Sequence, residues 1–113
     1  MGEMKKSIAD FQETMKLLSE EDRETMHNFR TFMNSVLKER VLDTKTKELI
    51  ALGTAITARC IYCIGIHVKG ALAAGATKGE ILETASVAIL MGGGPALTYI
   101  TEVRKALEEF GTK

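Results

Sequence analysis

Tryptophan is absent from this 113-residue chain, proline occurs once, and aromatic residues make up only 5% of it. A core must therefore be assembled from Leu, Ile, Val, Ala and Met, side chains that suit packed helices. Neither sign of charge is in excess: fifteen basic and fifteen acidic residues cancel to a formal net charge of zero. That balance counts against nucleic acid or an anionic membrane surface as a partner, because both call for surplus positive charge. It also does little to oppose self-association. The first ten residues, Met1 to Asp10, are charged and carry no apolar run, so no secretory signal is legible there. The longest uncharged stretch, 84–101, is interrupted by Gly92-Gly93-Gly94-Pro95, which leaves no continuous apolar segment of about 20 residues to span a bilayer. The expectation is a cytoplasmic protein with no membrane association.

What the chain does have is apolar residues at helical spacing almost throughout, and no alternating strand pattern. At this length it reads as one domain, 1–113, with N-terminal helices over 1–40 and an apolar core unit over 41–110. Ile8, Phe11, Met15 and Leu18 form a first helical stripe over 7–18. Ser19, followed by Glu20-Glu21-Asp22, reads as the N-cap of a second helix whose apolar face is Met26, Phe29, Met33, Val36 and Leu37. Asp43 or Thr44 caps a third helix that carries Leu49, Leu52 and Ile56 and ends near Arg59. Cys60 opens a fourth helix, closed by Gly75. Thr77-Lys78-Gly79-Glu80 has the spacing of a capping box and starts a fifth helix. Gly92 to Gly94 end that helix, and Pro95 begins a sixth that runs to Phe110. The fold class is all-α, a bundle of about six helices.

Cysteine is scarce too, and its placement is the informative feature. In a reducing compartment, two cysteines three positions apart point to redox or metal chemistry rather than to a structural crosslink. In Cys60-Ile61-Tyr62-Cys63-Ile64-Gly65-Ile66-His67 the two sulfurs and the imidazole fall on one helical face. A thiolate is the reactive form of cysteine, and a helix N-terminus favours negative charge. An imidazole one turn away can take up and return a proton. Cysteine, base and resolving thiol thus lie within eight residues. A zinc site built on Cys60, Cys63 and His67 is the competing reading, but His27 is the only other histidine available to complete it. Taken singly, Glu48 among Lys45, Thr46 and Lys47 reads as a solvated carboxylate, Tyr62 as a packing residue, and His67 as a satisfied histidine on a half-buried helix. Spacing to the cysteines argues otherwise for Glu48 and His67, while for Tyr62 the packing reading stays open.

Glu48, twelve positions before Cys60, together with Cys60, Tyr62, Cys63 and His67, resembles the E…C-x-Y-C-x-x-x-H pattern of the alkylhydroperoxidase D-like (AhpD-like) family. That family belongs to the carboxymuconolactone decarboxylase superfamily. The resemblance covers roughly 40–110 and includes the downstream segment G-A-T-K-G-E-I-L-E. It implies an AhpD-like helical bundle assembled as a homo-trimer or homo-hexamer. It further implies a proton relay in which Glu48 and His67 assist deprotonation of the cysteine pair, with Tyr62 lining the site. The activity it implies is that of a thiol-dependent peroxidase or disulfide oxidoreductase in antioxidant defence, acting without a cofactor. Peroxide or a disulfide would be the substrate, and a peroxiredoxin or a lipoyl- or thioredoxin-type protein the partner in electron transfer. The helix N-terminus argues for Cys60 as the attacking sulfur and the nearness of His67 argues for Cys63, so the order stays open. The superfamily also brings an alternative, lactone decarboxylation, which needs no cysteine pair. A helix-turn-helix reading of 71–87 fails on its second helix, which has one Lys, two Glu and no Arg, Asn or Gln to read base edges.

Overall fold

The structure is a computed structural model that describes residues 2–111. Within them the chain forms α1 (Glu3–Glu21), α2 (Arg23–Leu37), α3 (Thr44–Thr57), α4 (Ile61–Ala73) and α5 (Lys78–Phe110), with no strand. The all-α expectation therefore holds. The predicted fifth and sixth helices are run together as α5, and the glycine break between them shrinks to one non-helical residue, Gly93 (φ 67, ψ −149). Because the helix continues on both sides of Gly93, α5 is long and apolar enough by length and composition to cross a bilayer, contrary to the sequence reading. It is kinked there, however, and both arms supply core residues: Ile81, Ala85 and Ala88 from one, Ala96, Val103 and Ala106 from the other.

Helix ends follow local chemistry. Asp43 caps α3, its carboxylate accepting from the Thr46 N–H at 2.8 Å. Thr77 and Glu80 form the expected reciprocal capping box at the start of α5. Gly75, at φ 95, closes α4 in the left-handed conformation natural to glycine. The expected Ser19 cap is not there. α1 runs through Ser19 to Glu21, the break falls at Asp22, and the Ser19 hydroxyl accepts instead from the Arg30 guanidinium. α1 also begins earlier than its apolar stripe suggests, because a distant residue caps it. Glu109, near the end of α5, accepts from the N–H groups of Met4 (3.0 Å) and Lys5 (2.7 Å).

One apolar cluster joins Met4 and Ile8 of α1, Leu52, Ala55 and Ile56 of α3, Ile64, Val68 and Ala71 of α4, and the buried face of α5. Many of its members are alanine, so α3, α4 and α5 approach closely. Gly65 gives α1 the same access: a β-carbon there would lie 2.9 Å from Met4 Cγ. By contrast α2 buries none of its residues, and its predicted apolar face, including Phe29, Met33 and Val36, stays exposed. A second uncovered apolar surface lies along α3 and α5, where Ile50, Val87, Leu90 and Met91 are each more than half exposed.

Since Glu109 supplies the only side-chain acceptor for the first turn of α1 seen among the described residues, Glu109→Ala should destabilise the protein by about 1 kcal/mol, the usual cost of a lost cap. Thermal denaturation followed by circular dichroism would record it, and amide exchange should speed up at Met4 and Lys5 before elsewhere. Unchanged exchange at those two amides would contradict the assignment.

Candidate active site

The junction between α3 and α4 sets the position of the cysteines. α3 ends in a paired turn in which the Arg59 N–H donates to Ile56 O and the Cys60 N–H to Ala55 O, both at 3.1 Å. This closure needs a left-handed residue, and Arg59 occupies that conformation at φ 57. Glycine is the usual choice there; an arginine adopts it at a cost of about 1 kcal/mol. Backbone strain of this kind is commonly held next to functional groups. Nothing in the sequence marks Arg59 for that role, because residue type is the usual signal and the type here is wrong.

Cys60 is at once the last residue of this turn and the N-cap of α4. Its sulfur accepts from the Cys63 N–H at 3.2 Å, so it takes the place that a serine or aspartate oxygen fills in most caps. Negative charge on Cys60 would meet the positive pole of α4 and a directed amide. The Cys63 thiol is pushed from 9.0 up to about 11. Burial is the main cause, followed by its hydrogen bond to Cys60 and by repulsion from charge on Cys60. Both cysteines are free thiols.

Glu48 and His67 form a second pair. Glu48 projects from α3 at only 9% exposure and is the one charged residue buried in the core among the described residues. Its Oε1 accepts from His67 Nδ1 at 2.7 Å. A carboxylate on Nδ1 fixes the tautomer and leaves Nε2 as the nitrogen that exchanges protons. His67 lies one turn beyond Cys63 on α4, so the two pairs share a helix, but their hydrogen bonds stay within each pair. Tyr62 stands apart. It is 49% exposed, with its ring 6.3 Å from that of Phe11 on α1. No group of three or more His, Cys, Asp or Glu side chains is gathered as a zinc ion needs among the described residues. The apolar cleft of about 520 Å³ between α3 and α5 is lined by residues such as Ile50, Gly53, Val87 and Met91, not by the cysteines.

The raised Cys63 value makes stability depend on pH in a definite direction. The folded state holds the thiol more tightly than the unfolded chain does. Its contribution is therefore complete below about pH 9 and is lost as pH rises through about 11. Melting temperatures recorded across that window should fall further for the parent than for Cys63→Ser, which has no proton to lose. Parallel curves for the two would contradict the shift.

Comparison with known proteins agrees with the fold. The sequence profile of the carboxymuconolactone decarboxylase family matches residues 23–106. An uncharacterized protein of the cox locus of Paracoccus denitrificans is 37% identical over 81 residues, which is 72% of this chain and 73% of that protein. The crystal structure of an apo carboxymuconolactone decarboxylase family protein from Legionella pneumophila is similar at a TM-score of 0.93 and 37% identity, covering 96% of this chain and 97% of that one. A family member from Thermotoga maritima, for which a part in antioxidative response has been suggested, is similar at a TM-score of 0.80 and 25% identity, covering 90% of this chain and 87% of that one.

Proposed function

The chain belongs to the carboxymuconolactone decarboxylase family, and on that basis we propose that it is a thiol-dependent peroxidase or disulfide oxidoreductase working through Cys60 and Cys63. The observation that carries this reading is the Cys60 sulfur at the N-cap of α4, receiving the Cys63 amide while the Cys63 thiol stays protonated. Cys60 is then the attacking sulfur. With a peroxide, its thiolate takes the terminal oxygen, the O–O bond breaks, and the departing alkoxide is protonated by His67. Cys63 attacks the resulting sulfenic sulfur, water leaves, and a Cys60–Cys63 disulfide closes. With a disulfide substrate, Cys60 forms the mixed disulfide and Cys63 resolves it, releasing the second thiol. A dithiol donor of lipoyl or thioredoxin type returns the pair to its reduced state. The Glu48 carboxylate keeps His67 oriented and supports the imidazolium that forms when it takes a proton.

The family name favours a second reading, decarboxylation of a lactone. There Glu48 and His67 would move protons and no sulfur would change oxidation state. Thiol alkylation separates the two readings: it stops the first activity and leaves the second. We also propose assembly as a trimer or hexamer, which would cover the exposed Val87, Leu90 and Met91.

In the redox reading each turnover consumes two thiol equivalents. Cys60→Ser and Cys63→Ser should each lower peroxide or disulfide reduction at least a hundredfold, measured with a dithiol donor under steady-state conditions. Retention of full activity by both variants would exclude the proposal, as would release of carbon dioxide from carboxymuconolactone that survives alkylation.

A further inference from the structure

Glu48 reaches His67 through space that a glycine leaves open. Gly70 follows His67 by three positions on α4. A β-carbon placed on it would lie 2.7 Å from Glu48 Cδ, 3.0 Å from Oε1 and closer still to Oε2. The contacts with Cδ and Oε2 are too short for non-bonded atoms, and that with Oε1 is tighter than most. The Glu48 carboxyl group therefore fills the volume that any other residue at position 70 would claim. Glycine is the weakest helix former after proline, so its presence inside a 13-residue helix calls for a reason. The other helical glycine nearby, Gly65, has one in the packing of Met4. For Gly70 the neighbour is the buried acid of the candidate site.

We propose that Gly70 is a positioning residue: its missing side chain lets the buried Glu48 carboxylate hold the His67 imidazole. Its effect on turnover rests on the redox function proposed above; its effect on the hydrogen bond does not. Glu48 is a flexible side chain whose end can be displaced, so Gly70→Ala should spare the fold and move the carboxylate. Hydrogen bonds weaken steeply with misalignment, and an imidazole that has lost its Nδ1 partner also loses its fixed tautomer.

The test uses the full chain in four forms: parent, Gly70→Ala, Glu48→Gln and the double variant. Gly79→Ala serves as a control, because a β-carbon at that exposed helical glycine meets nothing closer than 3.7 Å. Nitrogen-15 labelled histidine allows the His67 Nδ1–H resonance to be followed directly. It should be downfield in the parent and in Gly79→Ala, and should weaken or move upfield in Gly70→Ala. Turnover by Gly70→Ala should fall about tenfold, whereas adding Gly70→Ala to Glu48→Gln should cost less than twofold, since the hydrogen bond is already impaired. An unchanged Nδ1–H signal in Gly70→Ala would overturn the proposal. So would an equal loss of turnover in both backgrounds, which is the mark of a general structural defect. If the parent shows no thiol-dependent turnover, the proposed function fails while the resonance still decides the role of Gly70.

Discussion

Everything at the candidate site depends on the amide of Cys63 pointing at the sulfur of Cys60. An N-cap is where a helix offers unpaired N–H groups and the positive end of its dipole. A sulfur in that position is held in one orientation and favoured as an anion. The same three-residue spacing puts the second thiol near enough to donate to the first. Burial and that contact together keep Cys63 protonated. In the proposed reaction one sulfur attacks and the other waits, and the asymmetry arises from backbone placement rather than from any difference in residue type.

The surrounding fold fixes this junction from both sides. The paired turn that ends α3 passes directly into the cap of α4, so Cys60 takes part in both. Leu52 and Ile56 on one side and Ile64 and Val68 on the other are fully buried against α5, which leaves the short connection little freedom. α1 presses on α4 through Met4 and Ile8 and is tied to the far end of α5 by Glu109. The one buried carboxylate among the described residues, Glu48, has its cost in this apolar setting reduced by the His67 hydrogen bond. A buried acid so placed suits the proton transfer proposed for it.

Much of this was legible in the sequence because it follows from local rules. The capping box at Thr77, the Asp43 cap and the closure by Gly75 depend on residues within a few positions of one another, and each was found where expected. The cysteines, His67 and Glu48 were legible from spacing and from the family resemblance, and the structure forms the Glu48–His67 contact across 19 positions. What escaped the sequence was decided over distance. Ser19 looked like a cap, but Arg30 took its hydroxyl and the helix ran on to Glu21. The start of α1 answers to Glu109, more than a hundred positions away. Gly93 alone makes the kink that three glycines and a proline suggested. Arg59 and Gly70 carry no motif, and each is understood only once the neighbouring backbone or carboxylate is in place.

The ionisation of the Cys63 thiol is the most direct test of this account. With both cysteines labelled with carbon-13 at Cβ, each thiol can be titrated separately in the reduced protein. Cys63 should keep its proton to about pH 11, and Cys60→Ser should bring that midpoint down. A Cys63 midpoint near the ordinary thiol value of 9.0, or one that ignores the loss of Cys60, would contradict the central claim.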